Sequence, residues 1–296
     1  MAAISPDHTN QKVWEDLITL NSSKDKAFKV LGRASDHLES DSRKDWWHDL
    51  DYANHLAEDS WPLPQIDDRE GYYGTDHFSY WASGLQDARM ILEAANKLGI
   101  QQPRQFLDVG CASGRVTRHT DLLVPTMKTL GCDINRWHVE WCNRYLSPSI
   151  CTFQNHSVPT LPIESNSIDI VSAFSVFTHI EALETAWLME IKRILRPGGM
   201  AWVTVHTEGT LADMTPDWPL WKPVMDFPDA ANLFDTEART FPGDRLVLRW
   251  LADRSYSSNI FYKENYLRQT WSRILPIREI RRRCPSFQDV VLFQKD

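Results

Sequence analysis

Apolar and polar positions in the middle of the chain follow a pattern that predicts strands separated by helices. Ile168–Phe174 is almost continuously apolar, which is typical of a parallel strand that is buried on both faces. The predicted strands are Gln105–Val109, Lys128–Cys132 (ending at Asp133), Ile150–Phe153, Ile168–Phe174 and Met200–His206. Strands that alternate with helices over short links predict an α/β fold with a doubly wound sheet.

The segments between these strands carry apolar residues at helical spacing. In Gly84–Leu98 the apolar positions Leu85, Ala88 and Ile91 recur every three to four residues, and Gly99 provides a residue at which helices commonly end. The other predicted helices are one that begins at Arg115, Arg136–Leu146 and Ala182–Leu195.

Both flanks of this core have weaker periodicity. Residues 1–84 are predicted to be an N-terminal helical extension, with helices at Gln11–Leu20 and Lys24–Leu31, that covers the domain formed by residues 85–296. Within that domain, residues 208–270 are predicted to be an insertion after the fifth strand, and such segments often act as substrate lids. Further predicted elements are a strand Arg245–Leu251, a helix Lys263–Trp271 and two closing strands, Ile277–Arg282 and Asp289–Gln294.

Composition and charge exclude several classes of partner. The 296 residues carry a formal net charge of -8 and no basic stripe, so we expect no nucleic acid partner. No apolar run approaches the ~20 residues that span a bilayer, and no signal peptide is recognised, so we expect a cytoplasmic protein with no membrane partner. The cysteines lack paired spacing, which predicts free thiols and no metal site. They are Cys111, Cys132, Cys142, Cys151 and Cys284.

The segment FLDVGCASGR (Phe106–Arg115) carries the clearest chemical signal. An apolar strand leads into a turn of small residues, where a ligand can approach the backbone, and then into the N-terminus of a helix, which favours anionic groups. A dinucleotide-binding loop would have a third glycine at the start of the helix. Here Val116 and Thr117 follow instead, and Asp108 stands two positions before the first glycine.

This segment resembles the first motif of the class I S-adenosylmethionine-dependent methyltransferases. The resemblance implies S-adenosylmethionine as cofactor, with its amino acid end held by the acidic residue and the loop. The matching positions are Asp108, Gly110, Cys111, Ala112 and Gly114, with Ala112 in place of the usual middle glycine. It also implies a Rossmann-like, seven-stranded sheet flanked by helices, with an antiparallel last strand. A turn-capping carboxylate is the alternative interpretation of Asp108.

Further matches to the family follow in the expected order. Asp133 corresponds to the acidic residue that binds the ribose hydroxyls, and Ile134 to the residue that packs on the adenine. Alternatively, Asp133 could be the N-cap of the next helix. The residues that match the family's contact with the adenine edge are Asn155, His156 and Ser157. The stretches Leu161–Val171 and Leu195-Arg-Pro-Gly-Gly199 resemble the family's approaches to strands four and five.

Candidates for the methyl-transfer chemistry lie at the ends of the fourth and fifth strands. Ligands of open α/β sheets bind at the carboxyl ends of strands, so Ser175 and His179 are expected near the reaction centre, with Ser175 against the cofactor. His179 is the first candidate for a general base, although it could instead cap the next helix. His206 is the second candidate. His77 and Tyr80 could be contributed by the N-terminal cover.

The resemblance leaves the acceptor open. The segment SVFTHI and the later Phe287-Gln-Asp289 are similar to a broad group of bacterial methyltransferases, some of which act on sugars or small secondary metabolites. We therefore expect methyl transfer to a small molecule, at a hydroxyl group in preference to nitrogen or carbon. The alternatives are a nicotinamide-dependent oxidoreductase and a non-catalytic protein that binds S-adenosylmethionine.

Overall fold

The computed structural model describes residues 28–38, 52–250, 258–284 and 286–296. These residues fall into two compact units. The first unit contains the described residues of Thr19–His156 together with Ile168–Ser172, and the second contains Ser157–Ser167 and Ala173–Asp296. None of the helices in these ranges is long and apolar enough to cross a membrane.

The first unit begins with a small antiparallel sheet rather than with helices alone. Strand β1 (Val30–Arg33) pairs with β2 (Pro62–Pro64), and Leu31 lies opposite the fully buried Leu63. The predicted helix Lys24–Leu31 is therefore wrong at its C-terminal end, because Val30 and Leu31 belong to a strand whose partner lies far along the chain. Residues 24–27 and the predicted helix Gln11–Leu20 lie outside the described residues.

Two helices complete this part of the first unit, α1 (Ala53–Glu58) and α2 (His77–Lys97). Helix α2 begins at His77, seven residues before the predicted start, and its N-cap is Asp76, whose side chain accepts a hydrogen bond from the Ser79 backbone N–H (3.0 Å). Residues Phe78 to Leu85 are all buried, so the first turns lack the polar face from which a helix is recognised in sequence.

Parallel strands form the centre of the first unit. They are β3 (Gln105–Val109), β4 (Lys128–Asp133), β5 (Cys151–Gln154) and β6 (Ile168–Ala173), in the order β6-β3-β4-β5. Helices α3 (Thr117–Leu123) and α4 (Arg136–Tyr145) connect them. The Asp169 carboxylate in β6 accepts the backbone N–H groups of Arg104 and Gln105, which fixes the start of β3.

The second unit contains the antiparallel closing strands. After helix α5 (Glu184–Ile194), β7 (Leu195–Thr207) begins five residues before the predicted strand. The remaining strands are β8 (Arg245–Arg249), β9 (Ser258–Tyr262), β10 (Ile277–Arg281) and β11 (Asp289–Gln294). β11 runs antiparallel to both β7 and β10, whereas β9 pairs in parallel with the end of β7. The predicted class, a Rossmann-like α/β fold with mostly parallel strands and an antiparallel last strand, is confirmed.

The insertion after β7 is more regular than its sequence suggests. It contains short helices α6 (Glu208–Asp213), α7 (Trp221–Met225) and α8 (Ala230–Leu233), and strand β9 was not predicted. The predicted helix Lys263–Trp271 is α9 (Glu264–Tyr266) followed by a π-helical turn (Leu267–Trp271) and α10 (Ser272–Ile274). Helices and strands of the insertion share a buried apolar cluster that includes Leu211, Val224, Phe241, Leu248 and Phe261.

Candidate functional site

The loop between β3 and α3 is held in left-handed backbone conformations. Gly110, Ala112 and Gly114 have φ angles of 72°, 45° and 76°. The Gly110 and Cys111 N–H groups both donate to the Cys132 carbonyl, at 2.8 and 3.0 Å. A Cβ atom on Gly114 would collide with the Leu146 side chain. The first and last glycines are therefore required by the turn itself, whereas Ala112 holds a conformation that costs an L-residue energy.

Asp133, at the carboxyl end of β4, is fixed by two backbone groups. Its Oδ2 accepts the Ala112 N–H at 2.9 Å and its Oδ1 accepts the Asn135 N–H at 2.8 Å. It is not the N-cap of α4, because Asn135 holds that position and accepts the Trp137 N–H through its side chain (3.0 Å). Each carboxylate oxygen keeps acceptor capacity for a further donor.

Asp108, near the end of β3, is buried behind this loop. Its oxygens accept the hydroxyl groups of Ser172 (2.6 Å) and Thr117 (2.9 Å), so its partners are side chains rather than turn N–H groups. Burial raises the pKa of Asp108 to about 6, although these hydrogen bonds and the Arg115 guanidinium act in the opposite direction. The carboxyl therefore titrates close to the physiological range.

The residues after β5 present buried polar atoms without hydrogen-bond partners. The Asn155 N–H donates to the Asp133 carbonyl (3.1 Å), which places Asn155 beside the end of β4. Within the described part of the chain, Asn155 Oδ1 and His156 Nδ1 have no partner, nor does Ser157 Oγ, which belongs to the second unit. Ile134 is half-buried, and its carbonyl accepts from Gln154 Nε2. Unsatisfied buried polar atoms are costly and indicate a ligand or water.

A segment that the sequence analysis missed lies against the glycine loop. The 3-10 helix Ile66–Arg69 carries Asp68, whose carbonyl accepts the Ser113 hydroxyl and whose carboxylate accepts Trp137 Nε1 at 2.7 Å. Both contacts connect residues more than forty positions apart, so no local pattern could have revealed them. This segment holds one side of the loop within the first unit.

In the second unit, Ser175 and His206 meet at Gln288, which the sequence analysis did not select. Gln288 Nε2 donates to Ser175 Oγ at 2.8 Å and lies 3.4 Å from His206 Nε2. Ser175 has a left-handed φ of 55°, and its N–H donates to Thr204 Oγ1. Burial lowers the pKa of His206 to about 3, with a further contribution from His179, so the His206 ring is neutral at pH 7.

His179 lies outside helix α5, whose N-cap residue is Leu183. Its Nδ1 lies 2.7 Å from the Ser258 carbonyl. A carbonyl only accepts hydrogen bonds, so Nδ1 carries the proton in the neutral ring and Nε2 is the basic nitrogen.

The other two candidates, His77 and Tyr80, lie on helix α2 in the first unit, where both contact the guanidinium of Arg69. His77 Nδ1 accepts from Arg69 Nη2 at 2.7 Å, and the Tyr80 ring centre is 4.7 Å from the guanidinium carbon.

Comparison with known proteins finds a methyltransferase domain in the middle of the chain. Residues 107–203 match the model of a methyltransferase domain family. Over 109 residues the chain is 28% identical to an uncharacterized methyltransferase of Schizosaccharomyces pombe, covering 34% of this chain and 39% of that protein. Over 142 residues it is 30% identical to the sterol 24-C-methyltransferase of Aspergillus fumigatus, covering 43% and 36%. The chain thus spans less than two fifths of the length of these curated relatives.

A solved S-adenosylmethionine-dependent methyltransferase from Mesorhizobium loti is also similar, with 15% identity and a TM-score of 0.49 over 69% of this chain and 96% of that chain. Residues 107–203 therefore carry a methyltransferase domain, which agrees with the predicted resemblance to the class I S-adenosylmethionine-dependent methyltransferases. The cofactor of this class is S-adenosylmethionine.

The polar groups of the first unit fit that cofactor. Asp133 offers carboxylate oxygens, which suit ribose hydroxyls, and Asn155 and His156 offer unpartnered buried atoms, which suit an adenine edge. The left-handed turn at Gly110 and Gly114 leaves backbone without side chains where the amino acid end would lie. When bound, S-adenosylmethionine supplies an electrophilic methyl group on a sulfonium.

Proposed function

We propose that this chain transfers the methyl group of S-adenosylmethionine to a hydroxyl group of a small-molecule acceptor. The observation that carries the cofactor half of the proposal is the Asp133 carboxylate, which the Ala112 and Asn135 N–H groups hold in one orientation. In this proposal Asp133 binds the ribose hydroxyls of the cofactor. The adenine contacts Ile134, Asn155 and His156, and the glycine loop holds the amino acid end. Asp108 lies behind the loop and accepts hydrogen bonds from Thr117 and Ser172.

The acceptor half is supported by the chemistry of His179. A hydroxyl must lose its proton as its oxygen attacks the methyl carbon, and a correctly placed base assists that transfer. The Ser258 carbonyl fixes the His179 tautomer so that Nε2 can take this proton. The C–O bond then forms as the sulfonium C–S bond breaks, and the proton passes from His179 to solvent.

His206 has a different proposed role. A pKa of about 3 makes it a poor base at pH 7, because transfer to so weak a base has little driving force. Its ring lies 5.1 Å from Phe261 and 6.3 Å from Phe287 between ring centres. We assign His206 and Gln288 to positioning the acceptor beside these aromatic rings. Such a setting suits an acceptor with an apolar body and a polar hydroxyl.

Two measurements test the proposal. Calorimetric titration with S-adenosylhomocysteine and with NAD should show binding of the first only. Incubation with methyl-deuterated S-adenosylmethionine and panels of sugars, phenols, amines and carbon acids should then give a labelled methyl ether, detected by mass spectrometry. Binding of NAD alone would favour an oxidoreductase, and label on nitrogen or carbon would contradict the hydroxyl assignment.

A further inference from the structure

The imidazole of His206, at the carboxyl end of β7, has one buried nitrogen without a hydrogen-bond partner. His206 is 2% exposed. Because its low pKa keeps the ring neutral, His206 Nε2 accepts from the amide nitrogen of Gln288 (3.4 Å) and Nδ1 carries the proton. Among the described residues, Nδ1 has no partner. A buried N–H group without an acceptor is costly, so this position favours a ligand whose oxygen accepts a hydrogen bond.

Two aromatic rings lead away from His206 within the second unit. The Phe287 ring centre lies 6.3 Å from that of His206, and the Trp218 ring centre lies 6.0 Å from that of Phe287. Phe287 and Trp218 are both half-buried and pack on the apolar cluster of the insertion. Aromatic rings pair favourably with one another, so a row of half-buried rings that begins at a buried polar group suits an aromatic ligand.

Arg283 lies at the far end of this row and carries a charge without a carboxylate partner. Its guanidinium carbon is 5.5 Å from the Trp218 ring centre, and the residue is exposed. The two preceding arginines, Arg281 and Arg282, form ion pairs of 2.8–3.0 Å, whereas Arg283 forms none with the part of the chain that the structure describes. The Asp289 carboxylate accepts only the Arg283 backbone N–H (2.8 Å) and pairs with the Arg282 guanidinium. The Arg283 guanidinium can therefore bind the carboxylate of a ligand that lies along the row.

We propose that the acceptor is a phenol that carries a carboxylate group. Its hydroxyl oxygen accepts the His206 Nδ1–H, its ring lies along Phe287 and Trp218, and its carboxylate pairs with Arg283. This inference rests on the proposed function and narrows the acceptor to one chemical class.

The chemistry of a phenol matches the groups at this end of β7. A phenolic hydroxyl has a pKa near 10, so it is a stronger acid than a sugar hydroxyl and loses its proton more readily to a histidine base. The hydroxyl oxygen accepts from His206, while its own proton stays available to His179. A donor on that oxygen also stabilises the negative charge that develops as the proton leaves.

The test measures, by calorimetry, how the protein saturated with S-adenosylhomocysteine binds phenolic acids of different length. The probes are 4-hydroxybenzoate, 4-hydroxyphenylacetate and 4-hydroxycinnamate. Each is compared with its methyl ester, which lacks the negative charge, and with the same acid without its hydroxyl group. At least one hydroxy acid should bind about tenfold more tightly than either of its two analogues, since each analogue lacks one hydrogen-bonding group.

Variants then assign the two ends of the ligand. Arg283→Gln should weaken binding of the hydroxy acid about tenfold and leave binding of the ester unchanged. Arg278→Gln removes the same charge from an exposed arginine of β10 and should change neither affinity. His206→Phe keeps an aromatic ring at the buried position and should abolish the preference for the hydroxy acid over the acid without a hydroxyl. Thermal melting establishes that each variant is folded.

Equal losses for acid and ester in Arg283→Gln, or no loss for either, would overturn the Arg283 assignment. Binding of S-adenosylhomocysteine without binding of any hydroxy acid would overturn the proposed acceptor class. Protein that binds no S-adenosylhomocysteine would instead overturn the proposed function, so the two failures are distinguishable. Should His206→Phe not fold, the wild type decides, because equal binding of the acids with and without a hydroxyl would contradict the His206 contact.

Discussion

The two units of this protein hold their candidate polar residues in different ways. In the first unit, Asp133 is oriented by backbone N–H groups of the glycine loop and of the chain just after β4. In the second unit, Ser175, His206 and Gln288 are oriented mainly by one another, and they meet across 82 to 113 residues of sequence. Backbone partners persist when side chains change, whereas a side-chain network can be altered by one substitution.

Under the proposed function, this difference matches the two ligands: the first unit binds the cofactor and the second unit binds the acceptor. The cofactor of a methyltransferase class is the same in every member, so a site made from backbone geometry suits it. Under the proposed function the acceptor, which differs between methyltransferases, is bound by side chains of the second unit such as Gln288 and His206. Variants in the two units should therefore separate cofactor affinity from turnover.

The largest effect is expected from His179→Ala, which removes the proposed base of the second unit. Turnover should fall by about 10²- to 10⁴-fold, the usual contribution of general base catalysis, while affinity for S-adenosylhomocysteine stays unchanged. Steady-state kinetics with the acceptor found in the panel, together with calorimetry, measure both quantities. His179→Gln is the matched control, because glutamine can still donate to the Ser258 carbonyl but cannot take a proton at pH 7. If His179→Gln retains wild-type turnover, His179 is not the base.

Asp133→Ala in the first unit is expected to change cofactor affinity, whereas His179→Ala changes turnover. Loss of the carboxylate removes the proposed ribose contacts and should weaken S-adenosylhomocysteine binding by about 100-fold or more, since hydrogen bonds to charged groups contribute about 1.5–3 kcal/mol each. Asp133→Asn keeps one acceptor oxygen and should lose less. Calorimetry measures the affinities, and thermal melting checks that the Ala112 and Asn135 contacts have not collapsed. An unchanged affinity in Asp133→Ala would remove the main support for the cofactor half of the proposal.

The fold was predictable where the pattern is local. Gln105–Val109 and Asp289–Gln294 were predicted with their observed bounds, because each apolar strand is flanked by residues that end it. The start of α2 was missed because its first turns are buried on all sides. Strand β9 was missed because its pairing with β7 and β8 is not visible in a single segment.

In the candidate site, too, features of local sequence were predictable and long-range contacts were not. The glycine loop and Asp133 were found because strand ends and small-residue turns are sequence features. The sequence did not indicate Asp68 or Gln288 as site residues, because only contacts with residues far along the chain place them near the site. Tertiary contacts of this kind leave no periodicity in the chain, so only the folded structure could identify them.

Two buried histidines, one in each unit, should make the fold sensitive to acid. Burial lowers the pKa of His119 and of His206 to about 3, below the unfolded value of 6.5. Between these values the unfolded chain binds a proton that the native state does not, so stability is complete above pH 6.5 and falls as pH is lowered. Each histidine should cost about 2 kcal/mol of unfolding free energy at pH 5.

Urea unfolding of the wild type and of His206→Gln at pH 7.5 and pH 5 measures this effect. The variant will lose the His206–aromatic contacts at both pH values, so the relevant quantity is the change between them. We expect the wild type to lose about 2 kcal/mol more than the variant on acidification. Equal losses in both proteins would show that His206 is protonated without penalty, and a charged His206 would then have to be considered in the acceptor half.

The smallest effect concerns the backbone of the glycine loop itself. Ala112 has a left-handed φ of 45°, which costs an L-residue about 1–2 kcal/mol, and glycine removes that cost at an entropic penalty of about 0.5–1 kcal/mol. Ala112→Gly should therefore stabilise the protein by roughly 0.5–1 kcal/mol in thermal or urea unfolding, without loss of cofactor affinity. Ala231→Gly, in the exposed part of helix α8, is the matched control and should destabilise by a similar amount. Destabilisation by both substitutions would mean that the Ala112 methyl group makes a packing contact that outweighs the strain, and the glycine loop of the first unit would then depend on a side chain as well as on backbone geometry.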